Sequence, residues 1–375
     1  MQAYAVCGKL SRQAYAVSAS QQDKKEVEPM ISTEIRATTT RRTRMKAVVQ
    51  DTYGGSEVLD LRDIAKPEIG DSEVLVRVRA AGVNPGDWAI MGGLPYIARP
   101  VYGLGRPKNR VRGTDVAGQV EAVGASVTRF RQGDEVFGSS KRLGGAFAEY
   151  AAASEDALAS KPTNLSFEQA AAVPMAGYVA LQALRDHGKV KAGQKVLVNG
   201  ASGGIGTFAV QIAKSLGAEV TGVTSTRNVD LVRSLGADHV IDYTKENFTR
   251  TGQRYDFILD NVANHSLSDL RRALAPQGML VPNGGGFDHR WVASGGRLIS
   301  AKVSFAFVSQ SLATFIVSPK QENLVVLREL IESGKVTPVI DRTYPLSETR
   351  QAIDHVGGGH ARGKVVVTVS NGVTS

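Results

Sequence analysis

From Met45 onward the apolar residues follow first one spacing and then another. Lys46-Ala47-Val48-Val49-Gln50 reads as a strand and Tyr53-Gly54-Gly55 as a turn. Glu73 to Ala80 alternates apolar and polar residues, which predicts a strand with one buried face. Gly118 to Val123 and Asp134 to Phe137 continue the short-strand rhythm, so this stretch predicts a compact, partly antiparallel barrel. Near Ser166 the pattern changes. Ser166 with Gln169 three residues on has the form of a capping box with a helix behind it. Strands at 195–199, 219–224, 239–242, 255–259 and 279–282 then alternate with helices at 206–216 and 229–235, closed by Gly217 and Gly236. That alternation predicts a parallel doubly wound sheet. An amphipathic helix at 323–333 and an alternating strand at 364–369 return to the first style. The expected division is an extension over 1–44, a barrel domain over 45–165, a parallel-sheet domain over 166–302 and a return to the barrel over 303–375.

Composition supports a folded chain. Hydrophobic residues are 42% and charged residues 22%, which excludes wholesale disorder. No stretch reaches the roughly 18 unbroken apolar residues that a membrane span needs. The best window, Ala170 to Leu184, contains Pro174 and Gly177. The single cysteine, Cys7, excludes an internal disulfide framework and any Cys-rich zinc site. All six histidines lie beyond residue 186, so the barrel half offers no imidazole ligand.

The net charge is +9, of which the first 44 residues carry +4 from eight Lys/Arg and four Asp/Glu. The rest is a modest, dispersed excess with no basic-aromatic motif, so no nucleic-acid signal emerges. Residues 1–44 are rich in Ser, Thr, Gln, Ala and Arg, without apolar periodicity. Two readings are open. A disordered extension or upstream start goes with a cytoplasmic protein. An Arg/Ser-rich transit peptide goes with an organellar one. Asp23, Glu26, Glu28 and Glu34 favour the extension.

The candidate chemistry centres on Asn199-Gly200-Ala201-Ser202-Gly203-Gly204-Ile205-Gly206, which follows a predicted strand and opens a helix. Such a loop lets backbone approach a pyrophosphate, whose charge sits on the free amides of the helix N-terminus. Ala201 departs from strict G-x-G-x-x-G. At the end of the next strand, Thr224-Ser225-Thr226-Arg227 carries no acid, where an NAD site has a carboxylate for the ribose. Hydroxyls and an arginine suit a 2′-phosphate, so NADPH is the expected cofactor.

Together with Tyr53 to Leu59, Ala80 to Asp87, Gly113 to Gly118, Leu235 to Tyr243 and Ala361 to Lys364, this loop resembles the medium-chain dehydrogenase/reductase superfamily, specifically its zinc-free quinone oxidoreductase-like branch. The resemblance covers Met45 to about Val369. It implies a GroES-like β-barrel catalytic domain, a Rossmann domain and an active site between them. Zinc-using relatives place a Cys where Asn84 stands and Gly-His-Glu where Gly113-Thr114-Asp115 stands, so no metal is expected here. Without zinc as Lewis acid, the reaction expected is hydride transfer to a quinone or an α,β-unsaturated carbonyl, whose charge a few hydrogen-bond donors can stabilise. The alternatives are a zinc-independent alcohol or carbonyl dehydrogenase, and a non-catalytic nucleotide- or RNA-binding protein of crystallin type.

By the same resemblance Asn84 is the active-site asparagine, its amide donating to a ribose hydroxyl or the substrate carbonyl, while Asp87 shapes the loop. Tyr53 and Tyr96 are candidate proton donors. The expected cofactor contacts are Gly200, Ser202, Gly203, Gly204, Ile205, Gly206, Thr224, Ser225, Thr226 and Arg227, with Tyr243, Asn261, Asn283, Gly284 and Lys364. Val179 stands where many relatives have a threonine. The apolar run 303–308, with Phe315, Ile316 and Val317, reads equally as a pocket lining or as core and the edge of a homodimer.

Overall fold

In the computed structural model the described residues are 43–141, 144–284, 304–305 and 308–370. Met45–Ser375 forms one compact unit; residues 1–42, with the extension read from the sequence, lie outside the described residues. β1 (Arg44–Gln50) and β2 (Leu59–Ala65) make a two-stranded sheet. β3 (Glu73–Val83), β4 (Asp115–Val123), β5 (Glu135–Ser139), β6 (Tyr150–Ser154) and β7 (Leu158–Ser160) build an antiparallel sheet. Val74, Val76, Val78 and Ala80 of β3 are all buried, as the alternation predicts.

The second sheet is wholly parallel among its described strands. β8 (Lys195–Asn199), β9 (Glu219–Thr224), β10 (His239–Asp242), β11 (Tyr255–Asp260), β12 (Leu274–Pro282) and β13 (Ser311–Leu312) stand in the order β10-β9-β8-β11-β12-β13. Chain order reverses beside β8, which is where open α/β sheets bind ligands. β13 still belongs to this sheet. The return to the first sheet, expected from residue 303, comes with β14 (Ile340–Pro345) and β15 (Lys364–Thr368), β15 pairing antiparallel with β3.

One buried layer joins the two sheets. Ser166 caps a short helix, its Oγ accepting from Gln169 N–H at 3.2 Å while Gln169 Oε1 accepts from Ser166 N–H at 3.0 Å. The helix Pro174–Leu181 that follows is buried along its length. The apolar window at 170–184 is therefore core between sheets, with Leu324 and Leu327 packed in the same cluster. Each such fully buried side chain is worth about 1.5–3 kcal/mol. Among the described residues no helix is long and apolar enough to cross a membrane. Of the run 303–308, Phe305 packs in the core beside Leu280, Val303, Ala306 and Phe307 lie outside the described residues, and Phe315 stacks on His187 at 4.4 Å.

Candidate active site

β8 runs buried through the sheet centre and ends at Asn199. Gly200 then turns the chain with a left-handed φ of +79°. The following helix, here α1 (Gly204–Ser215), presses back on that turn: a Cβ on Gly206 would lie 2.1 Å from Gly200 O. The first amides of α1 have no partner within the helix and aim outward with the positive end of its dipole. Gly203 has open space where a side chain would stand, with only Gly200 O within 4 Å, at 3.5 Å. This cradle fits a pyrophosphate. Ser202 sets its edge, its Oγ accepting from Thr224 Oγ1 at 2.8 Å and from Asn228 Nδ2 at 3.0 Å.

The ends of the neighbouring strands lie beside the cradle. Thr226 Oγ1 donates to Asp242 Oδ2 at 2.6 Å, and Arg227 Nη2 donates to the His360 carbonyl at 3.1 Å. The sequence shows no acid at the end of β9, from Thr224 to Arg227. The parallel pairing of Asp242 with Thr224 brings one in from β10. The Thr226 hydroxyl, with the Thr244 hydroxyl and amide and Lys245, holds the Asp242 carboxyl down to about 2. Tyr243, next to it, is exposed. On the other side of β8, Asp260 O accepts from the amides of Asn283 and Gly284 at 2.8 and 2.9 Å. Asn283 Nδ2 donates to Asn261 Oδ1 at 2.8 Å, and Gly284 lies against the Asn261 backbone, so these three predicted residues form one cluster.

The first sheet reaches the cradle at the start of β15. Gly363 N–H donates to Ser202 O at 2.8 Å, and Gly203 and Gly363 form a parallel bridge. The next residue, Lys364, is 3% exposed, and its Cδ would lie 3.1 Å from a Cβ on Gly204. Its Nζ donates to Asn84 Oδ1 and lies 3.5 Å from Asp115 Oδ2. Asn84 Nδ2 donates to Asp115 Oδ2 at 3.0 Å and to Thr114 Oγ1 at 3.4 Å. Asp115, 0% exposed, also accepts from Met175 N–H at 3.2 Å. Asn84 itself sits in extended backbone before Pro85, and its N–H donates to Asp87 Oδ2 at 2.9 Å, which starts the helix Pro85–Met91.

Two of the sequence readings, for Asn84 and Tyr53, change here. The Asn84 amide is committed inside the protein, both donor and acceptor, so it orients Lys364 and Asp115 rather than donating outward. Tyr53 gives its one O–H proton to Gly103 O at 2.7 Å, and burial raises its phenol, so it is not poised to release a proton. Tyr96 shares the Arg99 guanidinium with Tyr53, at 4.3 and 4.8 Å from the ring centres. Conversely, Asp115, Arg112 and Tyr178 are buried members of the site that residue-by-residue reading passed over. Burial, then the charge of Asp115, raises the Tyr178 phenol. Asp115 had a visible signal, an acid directly before the apolar run Val116-Ala117-Gly118; Arg112 and Tyr178 had none.

Burial also pushes the Asp87 carboxyl up to about 7, the charge of Asp115 adding to it and the amide of Asn84, Lys364 and Arg112 opposing. Asp87 in the folded chain then keeps a proton that the unfolded chain releases above about pH 4. Stability falls as pH rises from there through 7. Asp87→Asn will flatten that fall, by roughly 2–3 kcal/mol between pH 5 and 7, in urea unfolding measured across pH.

The positions that hold zinc ligands in zinc-using relatives therefore present an amide, a hydroxyl and one carboxylate, with an ammonium among them. Neither Cys nor His stands at these positions, and Lys364 Nζ lies between Asn84 and Asp115. This donor set does not suit zinc.

Residues 70–163 match the alcohol dehydrogenase GroES-like domain, and residues 235–367 match a family described as zinc-binding dehydrogenase. The chain is 34% identical over 339 residues to the chloroplastic quinone-oxidoreductase homolog of Spinacia oleracea, covering 86% of this chain and 98% of that one. The chain belongs to the medium-chain dehydrogenase/reductase superfamily. Within that superfamily it falls in the quinone oxidoreductase-like branch and is a nicotinamide-dependent oxidoreductase. It is also 35% identical to the chloroplastic NADPH-dependent alkenal/one oxidoreductase of Arabidopsis thaliana, over 86% of this chain and 79% of that one. The structure of the quinone oxidoreductase from Coxiella burnetii superposes with a TM-score of 0.76 at 31% identity, covering 87% of this chain and all of that one.

Proposed function

We propose that this oxidoreductase uses NADPH to reduce quinones or α,β-unsaturated carbonyls and needs no metal ion. The observation that carries the reading is Lys364. It runs from the glycine cradle to Asn84 and Asp115, and so sets an organic cation against two of the positions that carry metal ligands in zinc-using relatives. When bound, the dihydronicotinamide supplies a hydride. Gly203, Gly204 and the amides of α1 hold the pyrophosphate. Gly284, with Asn261 and Asn283, borders the nicotinamide ribose. Lys364 directs two of its three N–H bonds at Asn84 and Asp115 and keeps one for an oxygen that becomes negative during reduction. The delocalised charge of a reduced quinone or enone needs no stronger acid. The test is NADPH oxidation with a panel of quinones and enones, against simple alcohols with NADP, with and without a chelator. Turnover of none of the quinones or enones, or loss of turnover with the chelator, refutes the proposal.

The preference for NADPH rests on Arg227 opposed by Asp242. Arg227→Ala will weaken NADPH binding roughly tenfold and leave NADH within about twofold, while Asp242→Asn will raise the preference for NADPH severalfold. Fluorescence titration with both nucleotides measures this, and equal loss for the two nucleotides in Arg227→Ala removes Arg227 from the 2′-phosphate site.

For location we infer organellar import. The first 22 residues contain no acid, and both plant relatives above carry the word chloroplastic in their names. Incubation of the full chain with isolated chloroplasts and mitochondria tests this; an uncut, unprotected chain refutes it.

A further inference from the structure

The segment between the helix Pro85–Met91 and Thr114 is held by hydrogen bonds and presents both apolar and basic side chains. Gly103 N–H donates to Arg99 O at 2.7 Å and Lys108 N–H to Tyr102 O at 2.8 Å. Tyr53 Oη clamps Gly103 O, and Asn109 Nδ2 donates to Gly144 O at 2.9 Å. These bonds fix a frame that turns three large aliphatic side chains outward: Ile97 is 67%, Val101 48% and Leu104 74% exposed. Between residues 96 and 112 there are five basic residues and no acid. Arg112 is buried and Arg110 is paired with Asp51. Arg99, Arg106 and Lys108 have no carboxylate partner among the described residues.

We propose that this exposed segment docks the protein on an anionic lipid surface. Apolar side chains beside unneutralised cations, on a frame too short to span a bilayer, are the combination that binds at the headgroup boundary. Nucleic acid would use the cations but would leave Ile97, Val101 and Leu104 without a partner. The segment is anchored at the site by both ends: it leaves the helix that Asn84 starts and returns at Thr114, to which Asn84 donates. Docking by it brings the site to the place where a lipophilic acceptor dissolves, a consequence that rests on the quinone reading above.

The test is co-sedimentation of the full chain with vesicles of phosphatidylcholine alone or mixed with phosphatidylglycerol, at low and high salt. The chain will bind the phosphatidylglycerol vesicles roughly tenfold or more tightly than phosphatidylcholine, less so at high salt. Arg106→Glu with Lys108→Glu will abolish that preference, and Leu104→Ser will weaken binding severalfold while the preference persists. All three positions are exposed, and unchanged NADPH oxidation with a water-soluble quinone will confirm that the variants fold. Turnover of a long-chain quinone carried in the anionic vesicles will fall with binding. No preference for anionic vesicles, or the same binding in both variants, overturns the proposal. So does a polyanion patch, shown by a homopolymeric RNA displacing the vesicles while Leu104→Ser has no effect. The sedimentation readout involves no turnover, so docking and quinone reduction fail or stand separately.

Discussion

Lys364→Met will cost about 3–5 kcal/mol in urea unfolding at neutral pH and will abolish most turnover, because it strands a carboxylate that is 0% exposed. Asp115 accepts from Asn84 and Met175 as well as pairing with Lys364, but neither of those donors is charged. Methionine matches the length of the lysine stem and so keeps the packing against Gly204, which isolates the loss of the charge. Adding Asp115→Asn will return most of the stability, since the second change removes the charge that was left unpaired. It will not return turnover, because the ammonium is still missing. Recovery of both, or of neither, would contradict the double role of Lys364 as counter-ion to Asp115 and donor to the reduced oxygen. The pair should be read by kcat and by nucleotide affinity separately, since Lys364 touches both the cradle and Asn84.

Gly206→Ala will reduce nucleotide affinity by at least about a hundredfold and lower stability by about 1–3 kcal/mol, occasionally more for a clash of this kind. The added methyl would stand 2.1 Å from Gly200 O and 2.7 Å from the Ala201 backbone. All of these are backbone atoms, so no rotamer change relieves the contact. The start of α1 must move off the turn, and with it the amides that hold the pyrophosphate. Isothermal titration with NADPH and a thermal melt check the two parts. Ala at Gly203, where the nearest atom to the new methyl would be 3.5 Å away, will disturb the fold far less than it disturbs binding. That contrast separates a packing glycine from a ligand-facing one.

Most of the framework was legible because its signals are local. The alternation over Glu73 to Ala80, the reciprocal Ser166–Gln169 cap and the strands at 195–199, 219–224 and 239–242 depend on near neighbours, and all appear as read. The glycine loop was legible for the same reason, strand, turn and helix being contiguous. The Asn84–Asp115–Lys364 network was legible only as three separate motif residues. Its members are 31 and 280 residues from Asn84, and nothing in the chain near Lys364 announces which amide it will meet. Asp242 was missed by the same logic: a reading confined to one strand end finds no acid there, while sheet pairing supplies one from the next strand. Tyr53 fell to a different cause, a carbonyl at Gly103 that no side-chain pattern marks.

The stitch between Ser202–Gly203 and Gly363 constrains how the cleft can breathe. Because a backbone hydrogen bond and a bridge fasten the nucleotide loop to the first residues of β15, the two sheets cannot draw straight apart without tearing that seam. Lys364, the residue after the seam, is therefore tethered to the cradle through the main chain as well as through its side chain.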